Sequence, residues 1–229
     1  MSTKHIIFDL DGTLIDSAPS ILSGFARVLD QHGIKPRCEL THSLIGPPLI
    51  ETLRRISGID DPEILQGLAD NFKRYYDEVG YRETREYPGI TEALNNLCLG
   101  GASLYVVTNK RIVPTRRIIE FLHWGTFFKG LYSHDAFDPA ASSKADVIKR
   151  VMTLHAMPRE DTVYIGDREE DREAAEASRI TFYFAGWGYG EFGVPSVDMQ
   201  RVFARPSELG SAKVTAFPRE QSHRAITAS

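Results

Sequence analysis

Two aspartates, Asp9 and Asp11, follow directly on the apolar run His5-Ile6-Ile7-Phe8 and stand two positions apart. In extended backbone that spacing sends both side chains to the same side. Two carboxylates facing one point repel each other unless a cation lies between them or one of them holds a proton, and hard Mg²⁺ with its oxygen ligands meets that need. Taken alone, the pair fits the capping of the turn at Gly12 equally well. Groups of matching chemistry recur further along: Thr108-Asn109, the acids Asp167 and Asp171 after Gly166, and Lys144 behind the helix-capping pair Ser142-Ser143. Asp167 and Asp171 add acidic groups enough to complete a Mg²⁺ site with Asp9 and the backbone carbonyl of Asp11, while a hydroxyl at Thr108 and a cation at Lys144 are the donors a phosphate dianion requires. The site exists only if the fold gathers these residues.

The elements needed to gather them are visible. The run at 5–8 reads as a short buried strand emptying into a turn, and the same pattern returns at 104–107, 130–133, 162–165 and 181–184. Continuous apolar strands separated by helical patterns at 111–122, 143–155 and 169–178 predict an α/β fold, a doubly wound, mostly parallel sheet covered on both faces. The strand ends of such a sheet open onto one edge, where ligands bind, so Thr108, Asn109 and Asp167 are expected beside Asp9. Almost a hundred residues part the first two strands, too many for one crossover helix. Helical patterns at 21–32, 49–56 and 62–79, punctuated by Gly33, Gly46-Pro47-Pro48 and Gly58, make 17–85 an inserted helical cap with hinges near 16–17 and 86–88. The core is then 1–16 with 86–210. Residues 211–229, with Lys213, Arg219 and Arg224 against Glu220 and no periodicity, read as a mobile tail.

Composition narrows the function. The 229 residues are 42% hydrophobic and 25% charged, enough for one or two compact domains. A net charge of −4 offers no global cationic field for nucleic acid or anionic lipid, so any anion must be held locally. No apolar run approaches the ~20 residues that span a bilayer, and Asp9 and Asp11 interrupt the N-terminal stretch where a signal peptide needs apolar residues. A cytoplasmic protein without nucleic-acid or membrane partners is expected. Cys38 and Cys98 are far apart, without metal-type spacing.

The run Phe8-Asp9-Leu10-Asp11-Gly12-Thr13-Leu14-Ile15-Asp16-Ser17 resembles the first motif of the haloacid dehalogenase superfamily in its phosphatase form. Val106-Val107-Thr108-Asn109-Lys110 resembles the second motif, Lys144 the third, and Ile165-Gly166-Asp167-Arg168-Glu169-Glu170-Asp171 the fourth. Order, spacing and strand context agree over about residues 4–210, and the insertion sits where the helical cap of phosphoglycolate-phosphatase-like members sits, with Tyr87-Pro88-Gly89-Ile90 similar to their return into the core. The resemblance implies a Mg²⁺-dependent phosphomonoesterase for a small phosphorylated metabolite of the phosphoglycolate type. Asp9 is then the nucleophile and Asp11 the acid and base. Thr108, the Asn109 amide and Lys144 hold phosphate oxygens, and Asp171 orients Lys144 or a metal-bound water. Gly46 and Arg54 of the cap are candidates for contact with the leaving group.

Two departures stand out: many relatives have Pro after the third-motif lysine where this chain has Ala145, and bulky Arg168 follows Asp167. Other readings use the same core. Nucleotides, sugar phosphates and pyrophosphate are alternative substrates, and a phosphomutase or a phosphonate hydrolase is an alternative activity. Phosphonate hydrolysis needs a cap lysine, and the cap supplies only Lys35 and Lys73. A receiver-like signalling protein, with its acids, Thr and Lys around a phosphorylated Asp, needs only about half this length. A dehalogenase has no use for the Asp11 carboxyl.

Overall fold

The computed structural model describes residues 5–190 and 201–209. The tail expected at 211–229 lies outside them. Six parallel strands form one sheet, in the order β5 (Phe128–Tyr132), β4 (Ser103–Val107), β1 (His5–Phe8), β6 (Thr162–Gly166), β7 (Thr181–Ala185), β8 (Val202–Phe203). The chain starts in the middle, builds to one side through β4 and β5, then crosses β1 and builds to the other side. β1 therefore sits where the winding reverses, between β4 and β6, and this is the crevice in which such sheets bind ligands.

Alternation along the strands separates two cores. Ile6, Phe8, Leu104, Val106, Val163 and Ile165 face one side, where they meet α4 (Ile90–Leu99) and α5 (Ile112–Phe121). Ile7, Tyr105, Val107 and Tyr164 face the other, against α6 (Lys144–Leu154) and α7 (Glu169–Ala177). The crossover helices thus lie on opposite faces for the two halves of the sheet, as right-handed crossovers require. The strand expected at 130–133 begins at Phe128 and leaves Ser133 to the following turn. Helix α4 is an addition to the expected elements; its apolar Ile90, Ala93, Leu94 and Leu97 recur at helical spacing behind Gly89.

Between β1 and α4 the chain forms α1 (Ala18–Gln31), α2 (Leu49–Ser57) and α3 (Pro62–Glu78). Pro62 sits at the start of α3 behind Asp61, whose carboxylate accepts from the Glu63 and Ile64 amides, so both the fixed φ and the cap favour initiation there. The helices share a core in which Phe25, Leu53, Leu68 and Phe72 are buried. The chain leaves and returns through a two-stranded antiparallel stalk, β2 (Ile15–Asp16) with β3 (Arg85–Glu86). The end of α3 is tied down a second time: Arg111 makes two bonds to Asp77, of 2.9 and 2.6 Å, and Arg117 of α5 donates to the Asp77 carbonyl.

Candidate active site

Asp9 is the first residue after β1, and its amide donates to Ile165 of β6 at 2.9 Å, which extends the strand pairing to the position that carries the carboxylate. Thr108 follows β4 and Asp167 follows β6, so the two neighbours of β1 bring their terminal residues to either side of Asp9. Lys144 opens α6 behind Ser143, whose hydroxyl accepts from the Asp146 amide at 3.1 Å. From there its ammonium reaches both Asp9, at 3.1 Å, and Asp171, at 2.6 Å. Asp9, Thr108, Lys144, Asp167 and Asp171 are all buried.

One carboxylate oxygen from each of Asp9, Asp167 and Asp171 lies within 4.8 Å of the others. Burial, with Asp171, Asp167 and Asp11 close by, pushes the Asp9 carboxyl well above its ordinary value although Lys144 opposes the shift. Asp167 is pushed up to about 6, first by burial and then by Asp171. Burial also disfavours the charge on Lys144, but Asp171 and Asp9 outweigh it and hold that lysine well above its usual range. Four carboxylates here face two ammonium groups, Lys144 and Lys110. A divalent cation fits this imbalance, and the all-oxygen donor set suits a hard one.

Asp171 is the least available of the three. Its Oδ2 accepts from the Asp167 and Arg168 amides at 3.1 and 3.0 Å, and its Oδ1 from Lys144 and Tyr164. It positions the turn and the lysine. Gly12, at φ +89°, lets the loop after β1 pass against Asp167; a side chain there would overlap that carboxylate.

Asp11 lies near Asp9 but in a different setting. Lys110 contacts both its oxygens, at 3.0 and 3.2 Å, and Ser17 donates to it from the start of α1. Both partners close runs that the motif resemblance covers, Ser17 the first and Lys110 the second, but the resemblance implies no role for either. Asn109 is held between Glu170, at 2.7 Å, and His134, at 2.9 Å. Tyr189 leaves no signal in the sequence, yet it joins three parts of the site. Its phenol, kept protonated by burial and by the nearby Tyr87 and Asp11, donates to Asp16 and accepts from the Ser17 and Ala18 amides, while its own amide donates to Asp167. Ser17 makes no side-chain cap to α1, so a residue from beyond β7 caps that helix.

A cavity of about 620 Å³ opens above these residues. Its floor carries Asp9, Asp11, Thr108, Asn109 and Lys144, and the helical insertion supplies the opposite wall. Gly46 is part of that wall, at φ +105° beside the Arg168 side chain. Arg54, expected near the leaving group, is not among the lining residues: it is half-exposed and pairs with Asp60 at 3.3 Å. The reason is helical phase, because Leu53 and Ile56 turn inward from α2 and carry Arg54 to the opposite face. Lys73 lines the cavity with its ammonium 3.3 Å from Asp70. Among the described residues no helix is long and apolar enough to cross a membrane.

A doubly wound α/β core, an acid at the end of its central strand and a buried lysine bridging two carboxylates define a class of hydrolase. The family model described as haloacid dehalogenase-like hydrolase matches residues 6–185, and the chain belongs to that family. It is 34% identical over 193 residues to the tyrosine-protein kinase PtkA of Mycobacterium tuberculosis, a match covering 82% of this chain and 64% of that protein. The solved structure of PtkA superposes with a TM-score of 0.75 at 30% identity, covering 93% of this chain and 98% of that one. Identity is 29% over 187 residues to a 5'-nucleotidase of Pseudomonas aeruginosa, covering 81% of this chain and 84% of the relative. It is 28% over 194 residues to a phosphoglycolate phosphatase of Nitrosospira multiformis, covering 82% and 85%.

Proposed function

We propose that this hydrolase is a Mg²⁺-dependent phosphatase that cleaves small phosphomonoesters through an aspartyl-phosphate on Asp9. The observation that carries the reading is Asp9 itself, buried at the end of the central strand, held by Lys144 at 3.1 Å and grouped with Asp167 and Asp171. Asp9, Asp167 and the backbone carbonyl of Asp11 would hold the Mg²⁺, which when bound offsets the repulsion between the Asp9 carboxylate and an incoming phosphate dianion.

The residues divide the remaining work. Lys144 engages one Asp9 oxygen and leaves the other to attack phosphorus. The Thr108 hydroxyl accepts from the Lys110 amide at 3.2 Å, which leaves its proton free to donate to a phosphate oxygen beside Lys144 and the Asn109 amide. As the bond from phosphorus to the leaving oxygen breaks, Asp11 gives that oxygen a proton. Asp11 then takes a proton from the water that attacks the aspartyl-phosphate, releasing inorganic phosphate and restoring Asp9. Lys110 and Ser17 aim the Asp11 carboxylate for both transfers.

Residues 17–85 act as the cap, hinged at the stalk of β2 and β3, and residues 1–16 with 86–210 form the core. Closure of the cap excludes water and completes the pocket for the leaving group. The match to PtkA supports a second reading, in which a tyrosyl hydroxyl replaces water as the phosphoryl acceptor.

The decisive experiment is hydrolysis of p-nitrophenyl phosphate by the full chain. EDTA abolishes turnover and added Mg²⁺ restores it; undiminished turnover in EDTA removes the metal from the reading. A parallel incubation with γ-labelled ATP separates the acceptors, because labelled inorganic phosphate supports hydrolysis and stable label on tyrosine supports the second reading.

A further inference from the structure

The cavity has two unlike walls, and the unlikeness bears on the substrate. Facing the charged floor, the insertion presents Phe25, Leu44, Ile45, Leu49, Phe72 and Tyr76. Phe25 and Phe72 stack with centroids 4.7 Å apart, and Phe72 and Tyr76 with centroids 5.6 Å apart, so three rings form a continuous line from α1 into α3. The inner end of that line meets the catalytic groups. The Lys110 ammonium lies 4.6 Å from the centre of the Tyr76 ring and 3.0 Å from Asp11. Asp11 must stand beside the oxygen of the leaving group. The atoms next to that oxygen therefore fall against Tyr76 and Phe72.

The cations around the cavity, Arg168 apart, each have an acid beside them. Lys110 pairs with Asp11, Arg111 with Asp77, Lys73 with Asp70, and Lys144 with Asp9 and Asp171. Arg168 is turned toward the loop after α1, 3.4 Å from the His42 carbonyl and 5.9 Å from the centre of the Tyr189 ring. A leaving group ending in a carboxylate, as in phosphoglycolate, would lose its water against aromatic faces, where each lining lysine already has an acid. A flat ring loses nothing of that kind and gains stacking contact. The cavity of about 620 Å³ is also large for a two-carbon acid.

We infer that this site selects phosphomonoesters whose leaving group is a small aromatic ring carried on or next to the ester oxygen, and that compact anionic phosphates are poor ligands. The inference rests on the phosphatase reading for the placement of the leaving group beside Asp11. Aryl esters are intrinsically more reactive, so hydrolysis rates alone do not test it. Non-hydrolysable phosphonates do. Calorimetric titration of the full chain with Mg²⁺ compares benzylphosphonate, methylphosphonate and phosphonoacetate.

Benzylphosphonate is expected to bind tighter than methylphosphonate by on the order of ten- to a hundredfold, from the area of one buried ring less the cost of ordering it. Phosphonoacetate is expected to bind more weakly than benzylphosphonate. Phe72→Leu brings the benzyl and methyl compounds toward parity while leaving methylphosphonate affinity unchanged; Phe25→Leu serves if the first variant does not fold. Equal affinities, tighter phosphonoacetate binding, no binding of any phosphonate, or a preference that survives substitution of the ring would each overturn the inference. Binding is read without turnover, so an inactive protein that still prefers the benzyl compound removes the phosphatase reading and leaves the aromatic subsite standing.

Discussion

On the floor of the cavity charged groups meet in close pairs: Lys144 bridges Asp9 and Asp171, Lys110 grips Asp11, and Asn109 hangs between Glu170 and His134. Opposite, Leu44, Leu49, Phe25 and Phe72 offer shape and apolar area, with scarcely a directed bond. The floor is held by these directed bonds, and in a buried setting a missing partner is costly. The cap wall tolerates change, because apolar surfaces repack at modest cost when volume is kept. A site divided in this way can keep one reaction while its substrate varies.

The comparison breaks most sharply at Asp9. Asp9→Asn removes the nucleophile, and kcat is expected to fall by about 10⁴-fold or more while the fold survives. Turnover within tenfold of the unaltered protein would move the nucleophile elsewhere. Asp11→Asn is expected to cost less, since each proton transfer contributes about 10² to 10⁴-fold. Single-turnover kinetics with a good leaving group and with a poor one sharpen this point: the poor leaving group should suffer more in the first step.

Tyr189→Phe tests the strap that joins floor and hinge. Loss of its hydroxyl leaves Asp16 without that donor and the Ser17 amide without its acceptor, while the Ala18 amide keeps only its 3.2 Å bond to Asp16, at a cost of about 1–3 kcal/mol. Thermal unfolding should fall by several degrees. An unchanged Tm would mean that water replaces the phenol without loss. The smallest effect is expected at Arg54, which pairs with exposed Asp60 and does not line the cavity. Arg54→Ala should change KM by less than about twofold for anionic and neutral esters alike, since the side chain lies off the cavity, and its exposed ion pair contributes only about 0–1 kcal/mol to stability. A selective rise in KM for anionic esters would bring Arg54 back to the substrate.

Much of this could be read along the chain, because the signals are local. A buried strand of four residues followed by Asp-x-Asp, repeated strands ending in polar residues, and Ser142-Ser143 ahead of Lys144 are each patterns within a few positions. Pairings at long range were not legible. Lys110 stands two residues from a recognised donor, but its partner Asp11 is nearly a hundred positions away, and only the adjacency of β1 and β4 brings them together. Tyr189 caps a helix from which it is separated by most of the molecule, and no periodicity announces such a bond.

The split between the two sources of information follows from how each constraint acts. Side-chain type, strand and helix period, and the order of acids, hydroxyl and lysine are properties of the chain itself, so the α/β class and the candidate nucleophile were there to be read before any fold. Strand order, the phase that turns Arg54 away and the stacking of Phe25, Phe72 and Tyr76 depend on which surfaces bury one another. Burial is a collective outcome of packing, and no single segment encodes it.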